Sequence, residues 1–181
     1  MGHAALLWGH QDILRLIREH AEVIECRYAA ASPGGNAIVA VRTTGFLSGP
    51  ELRRYCHERG APAYFDVLVT DGELDTDCSP AELRSLAGSA PPGAYSKFAA
   101  PEGAVEAQLT EIWARLLEFA PVGVLDDFVD LGGDSLIALE ITVEVFRHWG
   151  RDLSLVDLAD ASYIRNLAQM ITAPAASAAE E

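Results

Sequence analysis

Asp126-Asp127-Phe128-Val129-Asp130-Leu131-Gly132-Gly133-Asp134-Ser135-Leu136 is the stretch on which the fold of this chain turns. An acidic loop leads through a double glycine into an apolar run that predicts a helix over 136–149. Gly132 and Gly133 relax the backbone and leave space for a close neighbour. Ser135 falls at the helix start, where free N–H groups and the helix dipole favour a phosphate. A serine so placed can carry a phosphodiester without a base of its own. The plainer alternative is a capped helix after a glycine turn.

Outward from this stretch the pattern stays helical. The 136–149 helix is predicted to bury Leu139, Val143 and Phe146. Upstream, Val105, Leu109, Ile112, Trp113, Leu116 and Phe119 mark one face of another helix. Downstream, a short turn at 155–158 precedes a last helix over 163–171. The region 102–172 thus reads as an all-α four-helix bundle, and 173–181 reads as a disordered tail.

The first half alternates helix and strand. Asp12 is expected to cap a helix over 12–20, with Ile13, Leu14, Leu16 and Ile17 as its apolar stripe. Strands over 23–30 and 37–42 flank the turn Pro33-Gly34-Gly35-Asn36 and read as a hairpin. Ser48-Gly49-Pro50-Glu51 is a capping box, opening a helix that ends at Gly60. A third strand follows over 65–69, and Ser79-Pro80-Ala81-Glu82 repeats the box. The expectation for 1–88 is a small α+β lobe, a three-stranded sheet with helices, too small to enclose a large substrate. Residues 89–101, rich in Pro, Gly and Ala, read as a linker in which Lys97 is solvated.

The charge differs between the halves. The 181 residues carry 27 acidic and 13 basic side chains, a net of −14. Residues 1–100 contribute −3 and residues 101–172 contribute −9, which supports two domains. So acidic a chain repels a phosphate backbone and an anionic membrane surface, so neither nucleic acid nor membrane is an expected partner. No run of 18 apolar residues occurs, and the first residues lack the basic start of a signal peptide. Cys26, Cys56 and Cys78, odd in number and widely spaced, suit a reducing cytoplasm.

The stretch 126–136 closely resembles the phosphopantetheine attachment motif of peptidyl carrier domains in nonribosomal peptide synthetases. Pro101, Val105-Glu106-Ala107-Gln108-Leu109 and Ile112-Trp113 look like that family's first helix, so the resemblance spans 101–172. It implies that Ser135 takes a 4′-phosphopantetheine arm from coenzyme A through a separate phosphopantetheinyl transferase. Gly133, Asp134 and Leu136 complete the motif, with Leu136 and its helix read by partners. The double glycine favours a peptidyl carrier over the fatty-acid type. The implied setting is secondary-metabolite biosynthesis, with an adenylating enzyme acting in trans and condensation or tailoring enzymes as further partners.

The first half resembles the small C-terminal lobe of adenylation domains, through Glu51-Leu52-Arg53-Arg54-Tyr55 and Ala61-Pro62-Ala63-Tyr64. Where that family has a Gly-Lys step, this chain has Asp77-Cys78-Ser79-Pro80, so Pro80 stands in place of the lysine. Proline cannot stabilise a developing negative phosphate. The resemblance covers the small lobe alone, so no large lobe is expected, and only Trp8-Gly9-His10 is similar to the hinge. The resemblance therefore implies a lobe without catalysis, and the retained caps and strand pattern point to a surface that docks a partner, with a passive relic as the plainer alternative. The alternative is the small-lobe half of a split adenylation enzyme completed in trans.

Other chemistry fails on spacing. Gly133-x-Ser135 continues to Ile137 and not to Gly, so a hydrolase nucleophile elbow is incomplete. His148 lies roughly 20 Å along the helix from Ser135, too far to act as its base. Asp126, Asp130 and Asp134 lack EF-hand spacing and read as a solvent-facing period. Cys56-His57 has no second ligand pair and belongs to a helix. No catalytic residue and no metal site is expected.

Overall fold

The computed structural model describes residues 8–75 and 78–173. Contacts divide the chain into two compact units between Ala99 and Ala100. Each has its own core.

In the first unit, α1 (His10–Arg18) buries Ile13, Leu14, Leu16 and Ile17, the expected stripe. Its cap is Gly9, and Asp12 lies one turn in, where its carboxylate accepts the Gly9 N–H at 3.1 Å. Asp12 is therefore the reciprocal half of the cap rather than the cap itself. Strands β1 (Val23–Ala29) and β2 (Ile38–Thr43) pair antiparallel, with Cys26 opposite Val41. Helix α2 (Gly49–Glu58) starts on the Ser48/Glu51 capping box and returns the chain to β3 (Asp66–Thr70), which runs parallel to β2. Helix α3 (Pro80–Gly88) starts on the Ser79/Glu82 box with Pro80 in its first turn. Alternation along β2 feeds two layers. Val39 and Val41 meet Ile17, Leu52 and Val67 on one face, while Ile38 and Ala40 meet Leu68 and Leu83 on the other.

The sheet has four strands in the order β1-β2-β3-β4, which corrects the expected three. The fourth, β4 (Tyr95–Ser96), comes from the stretch read as linker and pairs antiparallel with β3. Two residues give no periodicity, so a polar anchor does what pattern could not. The buried Asp66 carboxylate accepts the Tyr95 hydroxyl at 2.5 Å, the Phe98 N–H at 2.9 Å and the Asn36 amide at 2.7 Å. Arg53, fully buried, donates to Ser96 Oγ at 3.1 Å. Lys97 is exposed just past the strand.

The second unit has α4 (Gly103–Leu116), α5 (Ser135–Trp149), α6 (Leu155–Ala161) and α7 (Ile164–Thr172). The expected turn at 155–158 is a helix, because Ser154 and Asp157 form a capping box and Leu158 and Ala161 are buried. Tyr163, expected as helical, caps α7. The core gathers Leu109, Trp113, Ile141, Val145, Leu158 and Leu167. Helix α5 buries Ala138, Ile141, Thr142 and Val145, so the expected burial of Leu139, Val143 and Phe146 is wrong. Those three are 52%, 46% and 59% exposed. Both rows have helical spacing, and the smaller side chains fit the closer approach. The expected tail lies outside the described residues beyond Ala173, as does Asp77 of the stretch around Pro80.

Candidate functional site

The loop between α4 and α5 is held at each end of the 126–136 stretch. Asp126, 2% exposed, accepts the Gly123 N–H at 2.8 Å, so the expectation that it faces solvent is corrected. Asp127 Oδ1 accepts the Val129 N–H at 2.8 Å, and the Phe128 N–H reaches the Ser162 carbonyl after α6 at 2.9 Å. The Phe128 ring meets Trp113 edge-on, with centroids 5.3 Å apart. The tip of the ring lies against Gly133, where a Cβ would sit 2.4 Å from Phe128 Cζ. Gly132 has φ +90°, open to glycine but strained for other residues. The two glycines thus serve different needs: Gly132 makes the turn, and Gly133 admits the ring.

This loop delivers Asp134 as the cap of α5. Its Oδ1 accepts the Leu136 and Ile137 N–H groups, both at 2.9 Å. The free donors expected at the helix start are therefore occupied by a carboxylate, because aspartate is among the best capping residues. Ser135 follows as the first helical residue, exposed, and its hydroxyl has no hydrogen-bond partner among the described residues. Leu136 beside it is 72% exposed. The structure thus brings Gly133, Asp134, Ser135 and Leu136 together, as their adjacency required.

Sequence reasoning missed what lies beside them. Ser135 lines a cleft of about 300 Å³ between the loop and α6, together with Phe128, Leu155 and Leu158. Only the double use of Phe128, in the motif and in the core, could have hinted at it. An apolar row of Leu136, Leu139, Val143 and Phe146 runs down the exposed side of α5.

Other singled-out residues lie apart from Ser135 or are occupied. His148 Nδ1 pairs with Gln108 Nε2 at 2.7 Å, and its Nε2 is 3.5 Å from Glu144. Burial pushes the Cys56 thiol up to about 12, which keeps it protonated and unreactive. No group of three or more metal-ligating side chains is found among the described residues. No described helix is long and apolar enough to cross a membrane.

Residues 107–171 match the family described as phosphopantetheine attachment site. The chain is 34% identical over 168 residues to the AMB antimetabolite synthetase AmbE of Pseudomonas aeruginosa, covering 87% of this chain and 7% of that protein. It is 36% identical over 149 residues to tyrocidine synthase 2 of Brevibacillus parabrevis, covering 76% of this chain and 4% of that one. The chain therefore spans less than a tenth of the length of these relatives. A solved structure described as a prototype for the peptidyl carrier domains of modular peptide synthetases is 38% identical. It covers 42% of this chain and 100% of its own, with a TM-score of 0.39.

Proposed function

The chain belongs, through residues 107–171, to the phosphopantetheine attachment site family, and on that premise we propose that Ser135 is the residue to which the arm is joined. One observation carries this reading. Ser135 is an exposed serine with an unpartnered hydroxyl, set at a helix start by Gly132, Gly133 and Asp134. The residues fit the group. No described side chain hydrogen-bonds Oγ, and the Asp134 carboxylate already holds the Leu136 and Ile137 N–H donors, so a phosphate on Ser135 would not draw on them.

In the attachment, Ser135 Oγ bonds to the phosphorus of the 4′-phosphopantetheine unit of coenzyme A. The pyrophosphate P–O bond breaks, adenosine 3′,5′-bisphosphate leaves, and the serine proton is lost. Among the described residues no side chain hydrogen-bonds Ser135 Oγ to take its proton, and we assign that chemistry to a separate transferase. Once bound, the arm supplies a thiol that holds an aminoacyl, peptidyl or aryl acid group as a reactive thioester. The chain's own residues orient Oγ, keep the loop rigid through Phe128, and offer Leu136 to partners. This makes the protein a carrier in nonribosomal peptide biosynthesis that is not itself a catalyst, with 102–172 as the carrier domain.

We read 1–88 as an adenylation-type lobe that docks the adenylating, condensation or tailoring enzyme. It holds three of the four strands of the sheet and both capping boxes, while Pro80 sits at a helix start and offers no charge to a phosphate. In the split-enzyme reading this lobe completes a large lobe in trans; that reading predicts a gain in pyrophosphate exchange when such a lobe is added. The first test is incubation with coenzyme A and a broad-specificity transferase. One arm on Ser135, absent from Ser135→Ala, is the expected mass-spectrometric result. An arm on any other serine overturns the assignment.

A further inference from the structure

The backbone of Phe128 is bonded on both sides. Its N–H donates to the Ser162 carbonyl at 2.9 Å, and its own carbonyl accepts the Gly133 N–H at 2.9 Å. Gly133 leads directly into Asp134, the cap of α5, and so into Ser135. Ser162 thus stands two hydrogen bonds from the segment that presents the serine. It joins α6 to α7 with φ +51° and ψ −30°, a backbone conformation that L side chains seldom adopt. Across it the Tyr163 N–H donates to the Ala161 carbonyl at 2.6 Å, which closes a γ-turn with positive central φ, the rare and strained kind. Two side chains hold this turn. Ser162 Oγ donates to the Ala159 carbonyl at 2.8 Å, and Asn166 Nδ2 donates to the Ala161 carbonyl at 2.9 Å. The ψ angle of a residue sets the direction of its carbonyl, so the strained turn is what aims the Ser162 acceptor at Phe128. Strain held in place by so many bonds points to a role beyond joining two helices.

We propose that Ser162 and Asn166 are positioning residues for the modification of Ser135, acting through Phe128 and Gly133. The proposal rests on the reading of Ser135 as the attachment residue. Neither residue hydrogen-bonds Ser135 among the described residues, so their influence runs through the loop. A relaxed turn rotates the Ser162 carbonyl away, releases the Phe128 N–H and loosens Gly133. A displacement of about 1 Å in a reacting group costs on the order of a hundredfold in rate. Docking through the exposed Leu136 does not pass along this relay. The effect therefore falls on the rate within the bound complex and not on affinity.

The experiment uses the full chain, coenzyme A and a broad-specificity transferase in excess. It reads the saturated single-turnover rate and the half-saturating transferase concentration separately. Ser162→Val is incompatible with positive φ, and Asn166→Leu removes the amide donor at an exposed position. Each is expected to lower the saturated rate about tenfold while half-saturation stays within about twofold. Ser162→Gly tolerates positive φ and is expected to keep the wild-type rate. Ile171→Val, a buried change elsewhere in α7, reports the effect of lost stability alone and is expected to leave the rate unchanged. A spectroscopic readout accompanies the rates. The wild-type chain and Ser162→Gly are expected to show a coupling across the hydrogen bond between the Phe128 nitrogen and the Ser162 carbonyl carbon. The two slow variants are expected to lose it. A wild-type rate in folded Asn166→Leu overturns the proposal, and this variant decides alone where Ser162→Val does not fold. Equal slowing in Ile171→Val, a change confined to half-saturation, or no coupling in the wild-type chain overturns it as well. A wild-type chain that gains no mass on Ser135 overturns the attachment reading instead, before any variant is compared.

Discussion

A methyl group at Gly133 would lie 2.4 Å from the tip of the Phe128 ring, which is buried and packed edge-on against Trp113. Gly133→Ala is therefore expected to destabilise the carrier unit by about 1–3 kcal/mol, the usual cost of overpacking, as measured by urea unfolding. Stability unchanged within error would mean that the ring does not rest on this backbone. The order of the two glycines was legible in the sequence, but their separate duties were not. A positive φ and a close ring contact both select glycine, and only the placement of Phe128 tells them apart. Asp134 is a similar case. Its capping role follows from residue type, yet its capture of the donors first assigned to a phosphate depends on the rotamer that the loop imposes.

Helix α5 carries two apolar rows, and packing chose the one with smaller side chains. Ile141→Ala is expected to cost about 2–5 kcal/mol, whereas Leu139→Glu on the exposed row should stay within roughly 0.5 kcal/mol. Equal costs in thermal unfolding would refute this division of faces. Helices α4 and α7 are tied by Glu106, whose carboxylate lies 3.0 Å from Arg165 Nε. Burial pushes Glu106 up, but the hydrogen bonds from Arg165 and the Glu102 N–H outweigh it, and the net shift is down. A lowered folded value means stability that is present above the ordinary glutamate value of about 4.3 and lost as pH falls through the folded one. Glu106→Gln should therefore flatten the loss of stability below about pH 4 while lowering stability at neutral pH. A variant with the wild-type acid profile would show that the pair contributes nothing.

At the scale of the molecule, the two units have separate cores, one around a mixed sheet and one around Trp113. Trp113→Ala is expected to cost about 3–5 kcal/mol. Hydrogen exchange should rise across 103–172 and remain unchanged in α1, α2 and the sheet. Accelerated exchange in β2 and β3 would mean that the units unfold together. By itself the sequence determined the helical carrier unit, the hairpin, both capping boxes and the position of Ser135 at a helix start. These depend on local spacing and on backbone groups a few residues apart. Tertiary structure alone decided the fourth strand, the buried face of α5 and the cleft beside Ser135. A two-residue strand has no period, and its anchor Asp66 lies 29 residues away from Tyr95. Two equivalent apolar rows can be ranked only by the partner they meet. A cleft between a loop and a helix that begins some twenty residues later exists only once both are packed.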